Sequence, residues 1–222
     1  EALKVLYDNA MGLVKKRDYV DAAILFEDIE RQYPYSKWSS QAQLMGAFCY
    51  YKSNMHDDSL NSIERFISLY PANEKIGYAT YLTALNYYAQ IQDVSRDQSM
   101  TEQALISFNE VINRYSDTDF AIDSKNKIDV INDRLAAKEI EVARFYQFDS
   151  QWIAALNRYN LILDKYKTSI YTEEALYRLV EIYLSIGLID EAKKYAATLG
   201  YNYPEGKWYE KSYKLIERNS KI

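Results

Sequence analysis

The residues able to carry chemistry are few and far apart. His56 is the only histidine in 222 residues and Cys49 the only cysteine. A histidine works as a general base when a second group orients it toward a substrate proton. His56 instead falls where one helical segment turns into the next, which marks a surface position. Cys49 sits between Phe48 and Tyr50 with no second cysteine or histidine nearby, so packing is the better reading of it. The acid pairs Asp57-Asp58 and Glu173-Glu174 could divide acid and base roles. Both, however, open helical segments, where negative charge complements the helix dipole. There is no glycine-rich phosphate loop, no HExxH and no CxxC. No catalytic residue, metal ligand or cofactor is expected, and the chain reads as a non-enzyme.

The elements that carry these residues are more informative. Tyr33, Tyr70, Tyr115, Tyr166 and Tyr203 share one frame. Eleven residues before each stands a small residue: Ala22, Ser59, Ala104, Ala155 and Ala192. Seven before stand Phe26, Ile63, Phe108, Tyr159 and Ala196, and four before stand Ile29, Phe66, Val111, Ile162 and Leu199. That is one apolar stripe at helical spacing, repeated five times. Pro34, Pro71 and Pro204, all the prolines of the chain, directly follow three of these tyrosines. The anchors are 37, 45, 51 and 37 residues apart, whereas a tetratricopeptide helix-turn-helix takes about 34. The pattern predicts an all-α tetratricopeptide-repeat superhelix of about five helix-turn-helix pairs.

The predicted pairs are 2–16 with 19–33, 39–53 with 56–70, 75–91 with 100–115, 119–147 with 151–166, and 172–186 with 189–201. A final helix over 207–218 is expected to cap the stack. Ser40-x-x-Gln43 and Ser99-x-x-Glu102 match capping boxes. A polar insertion, Gln92–Ser99, lengthens the third pair. The fourth opens with an extended helix of roughly 40 Å, about twice its neighbours.

Composition sets the outer limits. A net charge of −5 and a pI of about 5.1 argue against nucleic acid as a partner. Six glycines leave little room for linkers or a many-stranded sheet. One cysteine permits no internal disulfide, and no apolar run of 18 residues exists to span a membrane. The chain opens at Glu1 rather than methionine, which suggests that a leader or tether was removed upstream.

Specific stretches reach beyond the repeat class. Gln41-Ala42-Gln43-Leu44, Tyr50-Tyr51-Lys52 and Ile63-x-Arg65-Phe66-Ile67-x-Leu69-x-Pro71 are followed by Arg96-Asp97 and Asp133-Arg134-Leu135-Ala136. Val142-Ala143, Tyr146, Trp152 and Asn157-Arg158 continue the series. Together they resemble the BamD family of outer-membrane protein assembly lipoproteins, the tetratricopeptide-repeat component of the β-barrel assembly machinery. The resemblance covers nearly the whole chain, including its off-length middle. It departs at Ser116 and Lys167, where the repeat usually has proline, and at the turn Phe148-Asp149-Ser150. It implies a scaffold at the periplasmic face of the outer membrane, lipid-anchored through an upstream cysteine whose place Cys49 cannot take. The implied partners are a barrel-forming subunit with soluble periplasmic domains, unfolded outer-membrane proteins and other lipoprotein subunits. The other reading is a periplasmic or cytoplasmic tetratricopeptide adaptor in cell-wall or division machinery.

Two sites follow as expectations, in one continuous solenoid divided functionally into 1–115 and 116–222. In tetratricopeptide stacks the first helix of each pair lines the concave side, through positions 18, 15, 11 and 8 before the crossing small residue. From Ala22 these are Lys4, Tyr7, Met11 and Val14, and from Ser59 they are Gln41, Leu44, Phe48 and Tyr51. Aligning the third pair on its aromatics gives Tyr78, Tyr81, Leu85 and Tyr88, and Lys15 and Lys52 lie at the margin. This set suits an extended, aromatic-rich peptide, unless the tyrosines merely pack between repeats. Gln147, Phe148, Asp149 and Trp152, around the turn after the long helix, are the expected docking surface for the barrel subunit. The alternative for Phe148 is packing under the next helix.

Overall fold

In the computed structural model, which describes residues 2–34, 36–93 and 96–219, the tyrosine frame reappears as backbone geometry. Each of the five tyrosines is the C-cap of its helix, with φ between −124° and −136° and ψ between 42° and 57°. Each donates its N–H to the carbonyl four residues back, at 2.8–2.9 Å. Each tyrosine carbonyl then accepts from the residue three further on: Ser36, Asn73, Thr118, Ser169 and Gly206. At three of these positions, Asn73, Thr118 and Ser169, a short polar side chain also bonds the neighbouring backbone. Asn73 Oδ1 accepts from the Lys75 N–H at 2.9 Å, and Thr118 Oγ1 donates to the Tyr115 carbonyl at 2.6 Å. The turns after Tyr115 and Tyr166 close in the same way without proline, so the departures at Ser116 and Lys167 leave the connection intact.

The described residues form eleven helices. α1 (Ala2–Lys16) pairs with α2 (Tyr19–Gln32), α3 (Ser39–Lys52) with α4 (His56–Leu69), and α5 (Ile76–Ala89) with α6 (Gln98–Arg114). α7 (Asp119–Phe148) is followed by α8 (Trp152–Lys165), α9 (Thr172–Ser185) by α10 (Ile189–Asn202), and α11 (Lys207–Asn219) closes the chain. The five small crossing residues are all fully buried. Ser59 uses its depth chemically, for its Oγ donates to the Ala47 carbonyl at 2.8 Å where α4 meets α3.

Four of the turns inside the pairs close through a left-handed residue: Arg17 (φ 63°), Asn54 (59°), Ser150 (58°) and Gly187 (81°). In each case the following N–H reaches back to the carbonyl five residues earlier, as from Asp18 to Leu13 and from Gln151 to Tyr146. This closure uses up the carbonyls that a helix end leaves unpaired.

Neither capping box forms. Ser40 is already inside α3, whose N-cap is Trp38, and buried Gln43 finds no hydrogen-bond partner for either amide atom. α6 starts at Gln98 after Asp97, so Ser99 lies within it. The Asp97 carboxylate instead accepts from the Gln92 and Asp93 N–H groups and folds the loop back. Of the insertion 92–99, positions 94 and 95 lie outside the described residues, as does Glu1.

Two compact units divide the chain, 1–128 and 129–222, with the division inside α7. In the first, Phe26, Ile29 and Ala42 centre one cluster, and Ile63, Phe66 and Leu82 another. In the second, Ala136, Ile140 and Ala143 of α7 pack with Tyr159, Ile162, Leu179 and Ile182. Trp208, Tyr209 and Leu215 of α11 cover Leu176, Tyr177 and Leu199. Gly200 lets Tyr209 approach closely, since a Cβ there would lie 2.6 Å from the Tyr209 ring and force it to shift.

Candidate functional site

In the first unit, α3 and α5 bring most of the expected peptide-binding residues to one region, braced by the start of α7. Leu44 is buried, and Phe48, Tyr51, Tyr78 and Leu85 are half-buried in the same apolar cluster. Gln41, Leu44 and Tyr78 line a cavity of about 340 Å³ together with Met45, Lys75 and Phe120. Lys52 Nζ stands 5.7 Å from the ring centres of both Phe48 and Tyr51. Phe48 also meets Tyr19 edge-on at 6.3 Å.

The α5 tyrosines divide their surface between this region and its wall. Tyr81 stacks on Phe120 at 5.2 Å, Tyr78 lies 5.4 Å from the same ring, and Tyr88 meets Phe108 edge-on at 5.9 Å. The Tyr81 hydroxyl donates to the Asp123 carboxylate, and Lys127 Nζ lies 5.2 Å from the centre of the Tyr88 ring. Burial pushes the Tyr78 hydroxyl up to about 12, and Tyr51 is raised by burial and by the charge of Asp123. Tyr81 is raised by burial first and its Asp123 bond second.

The α1 residues belong elsewhere. Tyr7 is only 5% exposed, packed edge-on to Phe26 at 5.5 Å and against Trp38 at 4.7 Å. Met11 is half-buried beside the same cluster, and Lys4 is exposed. Phe120, Asp123 and Lys127 were missed because the offset rule stops at the third pair. Their i, i+3, i+7 spacing on α7 was the available signal.

The lone histidine is structural. Its Nδ1 lies 3.0 Å from Asn86 Oδ1. Asn86 Nδ2 donates to Ser59 Oγ and to the Leu82 carbonyl, each at 2.9 Å. The Leu82 carbonyl can only accept, which fixes the amide orientation and places the proton on His56 Nδ1. Burial pushes the Cys49 thiol up to about 12, away from thiolate chemistry. No group of metal-ligating side chains occurs among the described residues.

In the second unit the residues expected to dock a partner adjoin a polar network through Gln147. Arg144 clamps Glu174 through Nε at 3.0 Å and Nη2 at 2.6 Å. Arg178 joins Glu174 to Glu181, donating to Glu181 Oε2 at 2.8 Å. Gln147 donates to that same oxygen at 3.2 Å and accepts from the Tyr159 hydroxyl at 2.7 Å. A bidentate clamp on a buried carboxylate fixes orientation as well as distance. Gln147 is therefore spent inside the fold and Trp152 packs on the α7–α9 cluster, while Phe148 is 92% exposed and Asp149 is exposed. Phe145 and Ile153, unforeseen from the sequence, are also exposed around that turn.

Comparison with known proteins gives the chain its relatives. The family model YfiO, described as outer membrane lipoprotein, matches residues 1–199. An outer membrane protein assembly factor BamD from Caulobacter vibrioides is 42% identical over 217 residues, covering 98% of this chain and 71% of that protein. Its counterpart from Rickettsia prowazekii is 44% identical, covering 97% of this chain and 86% of that protein. The crystal structure of the P58(IPK) TPR domain aligns with 99% of this chain and 66% of its own at 15% identity, with a TM-score of 0.45.

Proposed function

This chain belongs to the outer membrane lipoprotein family, and on that premise we propose that it is a non-enzymatic scaffold for assembling outer-membrane β-barrel proteins. Its relatives carry the name of assembly factor along nearly its whole length, which favours this over an adaptor in cell-wall or division machinery. No helix among the described residues is long and apolar enough to cross a membrane. Attachment at the periplasmic face of the outer membrane would rest on a lipid anchor upstream.

Two surfaces divide the work in this reading. The α3–α5 region receives an extended peptide ending in an aromatic residue, as an unfolded outer-membrane protein would offer. The cavity beside Gln41, Leu44 and Tyr78 carries this reading: it is mostly apolar, large enough for a side chain, and lined by Lys75, next to Glu74, as the cation for a terminal carboxylate. The turn at Phe148 and Asp149 docks the barrel-forming subunit. Tyr7, being core, drops out of the peptide surface.

Fluorescence anisotropy with peptides ending in phenylalanine tests the first surface. Tyr51→Ala and Tyr78→Ala should each weaken binding by about 1–2 kcal/mol, or roughly 5–30-fold. Unchanged affinity in folded variants would move peptide recognition elsewhere.

A further inference from the structure

α11 differs in charge from the acidic chain it closes. Lys207, Lys211, Lys214 and Arg218 stand at i, i+4, i+7 and i+11, one line along one exposed face. Lys214 is paired with Glu210 in an exposed contact of the kind that contributes little. Lys207, Lys211 and Arg218 meet no carboxylate among the described residues. The two lysines instead approach the Trp208 ring, Lys211 Nζ at 4.3 Å from its centre and Lys207 Nζ at 5.4 Å.

This stripe borders a concavity. Trp208 lies against Tyr177 at 5.0 Å. Between α9 and α11 a groove of about 440 Å³ has Tyr177, Trp208 and Leu215 as its apolar part and Lys211, Lys214 and Arg218 as its basic side. Arg178 and Glu181 also line it, but these two charges answer each other, with Glu174 as the second partner of Arg178.

Covering α9 and α10 requires only the inner face of α11. Mixed-sign i, i+4 pairing on that face is limited to Glu210–Lys214, which leaves Lys207, Lys211 and Arg218 aligned beside it. The family model ends at residue 199, before α11, whereas the Caulobacter and Rickettsia relatives align over 98% and 97% of the chain and so extend into it.

We propose that the α9–α11 groove binds an acidic segment of a partner protein, with an apolar side chain laid over Tyr177 and Trp208 and its carboxylates on Lys211 and Arg218. A concave site with an apolar floor favours a peptide over a bilayer. A membrane surface would touch only the basic side, whereas Trp208 and Leu215 of α11 are half-buried against α9 and α10 inside the concavity.

The test uses the whole chain and fluorescein-labelled decapeptides with a central phenylalanine, leucine or tryptophan flanked by aspartates and glutamates. Control peptides carry asparagine and glutamine in place of the acids. The acidic peptides should bind at least tenfold more tightly than the controls, and more weakly as salt rises. Lys211→Glu with Arg218→Glu, both at exposed positions, should abolish that preference while circular dichroism shows an unchanged fold. Lys211→Gln with Arg218→Gln should reduce it by an intermediate factor. Equal binding of acidic and neutral peptides, or full binding by the charge-reversed chain, would overturn the proposal. So would charge-dependent binding to phosphatidylglycerol vesicles alone, which would make the stripe a membrane contact.

Discussion

Tyr78 combines a packing role with a place in the proposed peptide surface. Its ring rests against Phe120, its neighbours are Gln41 and Leu44 across the cavity, and burial raises its hydroxyl to about 12. An acid whose pKa rises on folding keeps its proton longer in the folded state than in the unfolded chain. Its contribution to stability is therefore whole below the unfolded value of about 10 and disappears as pH climbs to about 12. Urea unfolding at pH 9, 10.5 and 11.5 should show the wild type losing more stability over this interval than Tyr78→Phe. Parallel losses in the two proteins would mean that the hydroxyl is not held from solvent. The same residue shows what was readable beforehand. The offset rule selects Leu44 and Gln41, and the aromatic alignment of the third pair selects Tyr78; the three line one cavity, because helical spacing fixes which residues share a face. It could not show that Phe120 would fill part of the space beside Tyr78, nor that Tyr7 would turn into the core beneath Trp38, since both depend on contacts between elements.

The helices carry the plainest agreement between sequence and structure, and also the clearest gap. Tyrosine, small residue and stripe recur as closely similar C-caps, fully buried crossings and, Ala196 apart, buried stripe residues, because each is a local requirement repeated along the chain. The left-handed turn closures were invisible. Glycine marks only Gly187; Arg17, Asn54 and Ser150 adopt the same region with side chains in place. The capping boxes failed in the other direction, as correct spacings set a residue or more inside the helix they were meant to open. Ser150 allows a direct measurement of the turn's cost. Asparagine tolerates left-handed backbone through its own short polar side chain, but serine carries a penalty of roughly 1 kcal/mol. Glycine also loosens the unfolded chain, so Ser150→Gly should stabilise by a net ~0.5 kcal/mol, read as a higher urea midpoint with unchanged slope. A destabilised variant would show that the Ser150 hydroxyl contributes more than its backbone strain removes.

At the scale of the whole molecule, the question is whether the proposed peptide binding and the proposed partner docking would be one activity or two. Tyr51 and Tyr78 lie in the unit 1–128, whereas Phe148 and Asp149 lie in the unit 129–222. The Arg144–Glu174–Arg178 clamp holds the turn of the second unit through residues of that unit alone. Substitutions that share no partner usually add. Tyr51→Ala with Tyr78→Ala should therefore weaken peptide binding and leave capture of the barrel subunit unchanged. Phe148→Ala with Asp149→Ala should weaken capture by at least tenfold, since an exposed aromatic is a frequent interface anchor, and leave peptide affinity unchanged. The fourfold variant should show both losses, each equal to that of its own pair. If either pair disturbs the other activity, the two surfaces are coupled through the chain. The Arg144 clamp is then the first place to look, because Arg144→Ala would leave Glu174 buried with one arginine fewer and loosen α7 against α9. Equal capture by wild type and the Phe148→Ala, Asp149→Ala variant would remove this turn from the docking surface altogether.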